Sequence, residues 1–123
     1  MELRKKALKN NYKNTPRPMG VFKIQNLKSG KIYIGRSLDL PAVFTRYRFT
    51  LKQNMHPVRN LQTDWNLFGE DSFSFEVLEK IKPEEIPETE WKQAVEKLEE
   101  KWLHTMQPYG EKGYNKPPKS NQV

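Results

Sequence analysis

The sequence predicts an α+β fold, a small three-stranded antiparallel sheet flanked by helices in the order β-β-α-α-β-α. Three observations carry this. Two runs rich in β-branched and aromatic residues, Gly20 to Gln25 and Lys31 to Gly35, are separated only by the turn-rich Asn26-Leu27-Lys28-Ser29-Gly30. Such spacing makes a hairpin and excludes a doubly wound parallel sheet. Phe73, Phe75 and Val77 alternate as a third strand does. The remaining apolar residues recur three and four apart, as helices require.

In chain order, residues 1–18 read as a basic arm or short helix closed by Pro16 and Pro18, which bias the chain away from helix. The folded unit is expected over 19–116, with 117–123 as a flexible tail. If Ile24 faces Tyr33 in the hairpin, Phe22 shares a face with Tyr33; a slip of one residue would part them. Asp39, two residues before Pro41, can cap a helix carrying Phe44, Tyr47 and Leu51. Val58, Leu61, Trp65 and Phe68 mark a second helix stopped by Gly69. The acidic stretch Lys82 to Glu90, with Pro83 and Pro87, reads as a solvated loop, and a long helix follows through Trp91, Val95, Leu98, Trp102 and Met106. From Pro108 onward, glycine and proline predict irregular chain that frays beyond Lys116.

The chain has 123 residues, 35% apolar and 30% charged, which suits one domain with a packed core under a charged surface. No apolar run approaches the roughly 20 residues of a membrane span, so a soluble, cytoplasmic protein is expected. The lack of cysteine removes disulfides, thiolate nucleophiles and zinc-finger sites, and leaves oxygen or histidine as metal ligands. The formal charge of +7 is unevenly placed, with lysines and arginines early and glutamates late. A surplus of this kind favours a phosphate-rich partner, with DNA the leading candidate. Lys5, Lys6, Lys9, Lys13, Arg17, Arg36, Arg46, Arg48, Lys52 and Arg59 are candidates for tracking its backbone; the plain alternative is a solubilising surface.

On a helical wheel at about 100° per residue, Glu99 falls near 100° from Leu98, inside an apolar arc running from Trp91 to Leu103. A carboxylate on a buried stripe must be protonated, paired with a cation or bound to a metal. Periodicity alone does not choose among these.

The order of several short motifs narrows the choice. Gly20-Val21-Phe22, followed eleven residues after Phe22 by Tyr33-Ile34-Gly35, resembles the paired strands of the GIY-YIG nuclease superfamily. The resemblance runs from Met19 to Asn115. It takes in His56-Pro57, Asn66-Leu67-Phe68-Gly69, Phe73-Ser74-Phe75, Leu98-Glu99-Glu100-Lys101-Trp102 and Gly113-Tyr114-Asn115. It implies metal-dependent hydrolysis of a DNA phosphodiester, with Mg²⁺, or Mn²⁺, held by Glu99. It also implies Tyr33 as the phenol that positions water or phosphate, His56 at a position often histidine in the homing-endonuclease branch, and Asn115 near the scissile phosphate.

Two departures stand against these matches. Phe22 replaces the tyrosine of the first motif, and Val43 stands where the resemblance implies a catalytic arginine. Valine cannot imitate a bidentate guanidinium. Arg46, one turn further on, and Arg36, directly after the second motif, are the candidate replacements, while Tyr33, Tyr47 and His56 are candidates for general base. Two readings follow: a DNA endonuclease slowed by Phe22 and Val43, or an inactive DNA-binding or regulatory module. A third, protein interaction through the Trp91 to Met106 helix, has core packing as its simpler explanation.

Overall fold

The computed structural model describes residues 17–118. The expected basic arm therefore lies almost wholly outside the described residues, as does most of the expected tail. Three strands, β1 (Met19–Asn26), β2 (Ile32–Ser37) and β3 (Phe73–Ile81), form one antiparallel sheet in the order β2-β1-β3. Helices α1 (Leu40–Lys52) and α2 (Arg59–Phe68) join β2 to β3, and α3 (Trp91–Met106) follows β3. The α+β class and the element order are as the sequence predicts. No helix among the described residues is long and apolar enough to cross a membrane.

The central strand is buried on both faces from Met19 to Phe22, beyond which half-buried Lys23 and Gln25 alternate with buried Ile24 and Asn26. On one face Phe22 and Ile24 pack with Leu40, Val43 and Leu51 of α1 and with Leu61 and Trp65 of α2. On the other, Val21, Ile32 and Ile34 meet Leu98, Trp102, Leu103 and Met106 of α3. The hairpin register pairs Ile24 with Tyr33 and Phe22 with Gly35, which puts Phe22 and Tyr33 on one face as expected. Gly35 is required there, because a Cβ on it would lie 2.6 Å from the end of the Phe22 ring.

Local chemistry sets the boundaries. The Asp39 carboxylate accepts from the Ala42 amide at 3.1 Å and caps α1. Gly69, at φ 88°, ends α2 in a conformation glycine adopts cheaply. Asn26, assigned to the turn by sequence, ends β1 fully buried; its side chain accepts from Lys28 N at 2.9 Å and Ser29 N at 3.2 Å and so shapes the turn.

Three local features go beyond what the sequence predicts. Strand β3 bulges opposite Val21 and Phe22, so that Phe22 pairs with Val77 and Val21 with Glu79. Phe73, Phe75 and Val77 alternate as expected up to that point; the extra residue, Leu78, then breaks the alternation and packs in the layer beneath α3. The acidic loop is pinned by two short 3-10 turns and by Trp91, whose indole N–H reaches the carbonyls of Pro83 and Ile86. The chain after Pro108 is irregular but tightly held. Pro108 and Tyr114 are buried, and Tyr114 N donates to Ile32 O at 2.9 Å along the outer edge of β2. Gly113 permits that approach, since a Cβ there would strike the carbonyls of Ile32 and Pro108.

Candidate active site

The predicted residues described by the structure converge around the edge strand β2. Side chains alternate along a strand, so Tyr33 faces the α1 and α2 layer while Arg36 faces α3. On the α3 side, Arg36 Nη1 lies 2.7 Å from Glu99 Oε1 and Arg36 Nη2 lies 3.4 Å from Glu96 Oε2. The Glu99 side chain is 17% exposed and that of Arg36 40%. Burial pushes the Glu99 carboxyl above the usual carboxylate range, and the Arg36 guanidinium pulls in the opposite direction without cancelling it. The ion-pair alternative left open for Glu99 is thus the arrangement observed, with a partner on β2.

On the α1 side, Tyr33 and Tyr47 have ring centroids 6.2 Å apart, and Tyr47 meets His56 edge-on at 4.4 Å. The exposed Arg46 guanidinium lies 5.8 Å from the Tyr47 ring centroid. Burial drives the Tyr33 phenol well above the ordinary tyrosine value, helped by the neighbouring Tyr47 phenol and the Glu99 charge; Arg36 opposes the shift. The charges of Glu99 and Arg36 therefore reach Tyr33 from across the strand end, and Tyr33 stays a neutral phenol at physiological pH.

His56 is buried, and its position is over-determined. Its backbone N–H donates to Gln62 Oε1 at 3.0 Å, and its Nδ1 accepts from Val58 N at 3.1 Å. That second bond uses the Nδ1 lone pair, so the proton of the neutral ring belongs on Nε2. Nε2 is buried and finds no partner among the described residues. Burial lowers the His56 pKa, and the Arg46 charge lowers it further. The neutral imidazole is thus fixed by the fold, with its Nε2 enclosed beside Tyr47.

Asn115 occupies both sides of its amide on the edge strand. Ile34 N donates to its Oδ1 at 2.9 Å and its Nδ2 donates to Ile34 O at 2.8 Å. Phe22 and Val43 are fully enclosed, at 0% and 2% exposure, and Phe22 packs edge-on against Tyr47 at 5.6 Å. Among the proposed backbone-tracking residues, Arg17 pairs with Asp39, Lys52 pairs with Glu70, and Arg48 stacks on Phe75 at 4.2 Å. Arg46 and Arg59 have no ion-pair partner among the described residues; Lys5, Lys6, Lys9 and Lys13 lie outside them.

Beside Tyr33 a cleft of about 500 Å³ opens between Pro57 to Asn60 at the start of α2 and Tyr114 to Lys116 of the tail. Two of its supporting residues were missed by sequence. Gln62 sits at a helix position spaced for the core, is buried, and ties His56 to Leu51 O at 2.9 Å; a polar residue on an apolar stripe was the available signal. Tyr114 is the cleft's buried wall, its hydroxyl donating to Asp64 at 2.7 Å. Its glycine- and proline-rich surroundings gave no sign of burial.

No protein-family model matches the sequence, and no curated protein matches it. Among solved structures, the catalytic domain of the homing endonuclease I-TevI superposes with a TM-score of 0.67 at 25% identity, covering 81% of this chain and 99% of that one. A point mutant of that domain superposes at 0.66 with 24% identity, covering 80% and 92%. The chain is built on the fold of a GIY-YIG homing-endonuclease catalytic domain.

Proposed function

We propose that the chain is a DNA endonuclease domain that hydrolyses a phosphodiester with a divalent metal, at the site wrapped around the end of β2. The observation that carries this is the continuity of the cluster. Glu99 and Arg36 on one side, and Tyr33, Tyr47, His56 and Arg46 on the other, form one chain of contacts and charges around a single strand end. A core has no need of such a set, whereas a phosphate needs cations and neutral donors arranged around it.

Glu99 would hold the metal. Among the described residues no three His, Asp or Glu side chains gather into a metal-binding group. That fits Mg²⁺ or Mn²⁺ arriving with substrate, since Mg²⁺ keeps several waters and is commonly held by one or two carboxylates plus phosphate oxygens. The pairing of Glu99 with the Arg36 guanidinium at 2.7 Å supports a carboxylate that takes a cation at this place. When bound, the metal would supply charge for the phosphate and the leaving oxygen.

The protein's own groups have distinct parts. Arg46 supplies the guanidinium missing at Val43, reaching the phosphate from one turn further along α1. Arg36, once released from Glu99, supplies a second. Tyr33 donates from a phenol that stays protonated, to a phosphate oxygen or to the attacking water. His56, enclosed behind Tyr47, orders that side of the site.

A second reading, a binding module without turnover, is favoured by one pair of observations. Phe22 and Val43 are enclosed in the core, so neither position presents the phenol or guanidinium that the resemblance implies. Nicking of supercoiled plasmid in Mg²⁺ or Mn²⁺, run beside Glu99→Ala, separates the two. Cleavage that vanishes in the variant supports the nuclease; salt-sensitive DNA binding with no cleavage above the variant leaves the binding module.

A further inference from the structure

Most of the lining of the cleft beside Tyr33 lies outside the catalytic cluster. We propose that it receives one unpaired nucleotide of the strand being cut, so that the preferred substrate is DNA already opened at that position rather than continuous duplex. This rests on the DNA reading above and names its substrate class.

Size is the first argument. A space of about 500 Å³ falls within the roughly 300–1,000 Å³ typical of small-ligand sites. It is far larger than a lone phosphate and too small for a stretch of double helix.

The lining is the second. Pro57, Val58 and the Tyr33 ring offer apolar surface for a base and sugar. Two amides flank them, each oriented by the backbone and each with spare capacity. Asn60 Nδ2 donates to Tyr114 O at 3.3 Å and its Oδ1 accepts from Leu61 N at 2.9 Å. Asn115 is held by Ile34 in the same two-sided way. An amide nitrogen has two hydrogens and its oxygen two lone pairs, so each side chain keeps a donor and an acceptor for a base edge. At the rim stand the exposed cations Arg59 and Lys116, and no carboxylate lines the cleft among the described residues. That is the polarity required by a base with a phosphate on either side.

Position is the third. Tyr33 belongs both to the cleft and to the catalytic cluster, so a nucleotide seated there adjoins the phosphate being cut. The tail that forms the far wall is locked to β2, and the Tyr114 hydroxyl accepts from Asn26 at 3.3 Å as well as donating to Asp64. The cleft is preformed. A base stacked in a duplex must leave its partner to enter such a concavity, whereas a base in a bubble has already done so.

The test uses the full chain in EDTA, with a 25-base-pair duplex and the same duplex carrying a three-nucleotide bubble with 2-aminopurine at its centre. Anisotropy should give the bubble about tenfold to a hundredfold tighter binding, the scale of a few kcal/mol of unpairing, and 2-aminopurine emission should change on binding as the base stacks. Asn60→Leu and Lys116→Glu, checked for fold by circular dichroism, should each bring the bubble-to-duplex affinity ratio toward one. Equal affinity for the two DNAs, or a preference that survives both variants, would overturn the cleft's role while leaving DNA binding intact. Binding to neither DNA would overturn the DNA reading and the inference together.

Discussion

Replacing Arg36 with alanine should make the protein bind Mn²⁺ more tightly in the absence of DNA. Arg36 holds the one carboxylate assigned to the metal, at 2.7 Å, and the Glu99 side chain is only 17% exposed. Any metal reaching Glu99 must displace that guanidinium. Hydrogen bonds to charged groups contribute roughly 1.5–3 kcal/mol when shielded. Because Arg36 is itself 40% exposed, solvent screening brings the figure to about 1–2 kcal/mol. Removing the competitor should therefore strengthen Mn²⁺ binding by about 5- to 30-fold.

Protonation works against this gain and sets the assay pH. Burial already raises the Glu99 carboxyl, and Arg36 opposes that rise, so Arg36→Ala moves it further up. At low pH the freed carboxylate would exchange the guanidinium for a proton. A titration of the free Mn²⁺ signal by electron paramagnetic resonance at pH 8 keeps it ionised. Glu99→Gln is the control and should lose the site. Unchanged or weaker Mn²⁺ binding in Arg36→Ala would refute the competition, and unchanged binding in Glu99→Gln would remove Glu99 as the ligand altogether. If cleavage falls in Arg36→Ala while Mn²⁺ binds better, the arginine has its second role on the phosphate.

Three further outcomes are expected. Arg46→Ala should slow single-turnover plasmid nicking by about 10²- to 10³-fold, as loss of one electrostatic donor does elsewhere, with Arg46→Lys recovering part; an unaffected rate would return the role to Arg36 or another cation. Gln62→Leu should cost about 1–3 kcal/mol in urea unfolding, because His56 N loses its buried partner while Leu51 O keeps Asn54 N at 3.2 Å; an unfolding free energy within about 0.5 kcal/mol of wild type, the scatter of surface changes, contradicts it. The His56 pKa is depressed in the fold, so its unfolded form binds protons first. The stability it contributes is full above the unfolded value of about 6.5 and is lost as pH falls below that toward the folded value. His56→Asn, which retains an acceptor for Val58 N–H, should flatten the unfolding midpoint across that window, and an identical acid slope in the variant would exclude His56 as its source.

What could be read in the sequence was what depends on near neighbours. The hairpin followed from a short linker, with its register left conditional, and the Asp39 cap and Gly69 stop followed from single residues whose preferences are strong. Glu99 was legible as an anomaly, a charge on an apolar arc. Its partner was not, because Arg36 is sixty-three positions away and nothing in a one-dimensional pattern selects it over other cations. The same holds for Asn115, whose amide meets Ile34 across 81 positions. The bulge in β3 escaped because a period of two cannot register one extra residue, and every side chain beyond it changes face. The chain from Pro108 to Lys116 was expected inside the folded unit as irregular chain, but its glycines and prolines gave no sign of what it packs against. Gly113 is there to let that chain come close.

On the proposed function, the strand order explains how these residues would act on one substrate. Tyr33 and Arg36 are three apart on β2, so the pleat sends them to opposite faces, one toward Tyr47, His56 and Arg46 and the other toward Glu99. In a central strand those faces would be sealed from each other by a neighbour on each side. In the order β2-β1-β3, β2 lies at the edge, and a phosphate approaching its end can be met from both layers at once. The open edge carries its own hazard, since unpaired strand amides invite association. The tail answers it for Ile32 and Ile34 through Tyr114 N and the Asn115 amide, and in doing so it raises the far wall of the cleft. Covering the edge and building the site are thus the same structural act, which is why Asn115 serves the fold even where its spare donor and acceptor face the cleft.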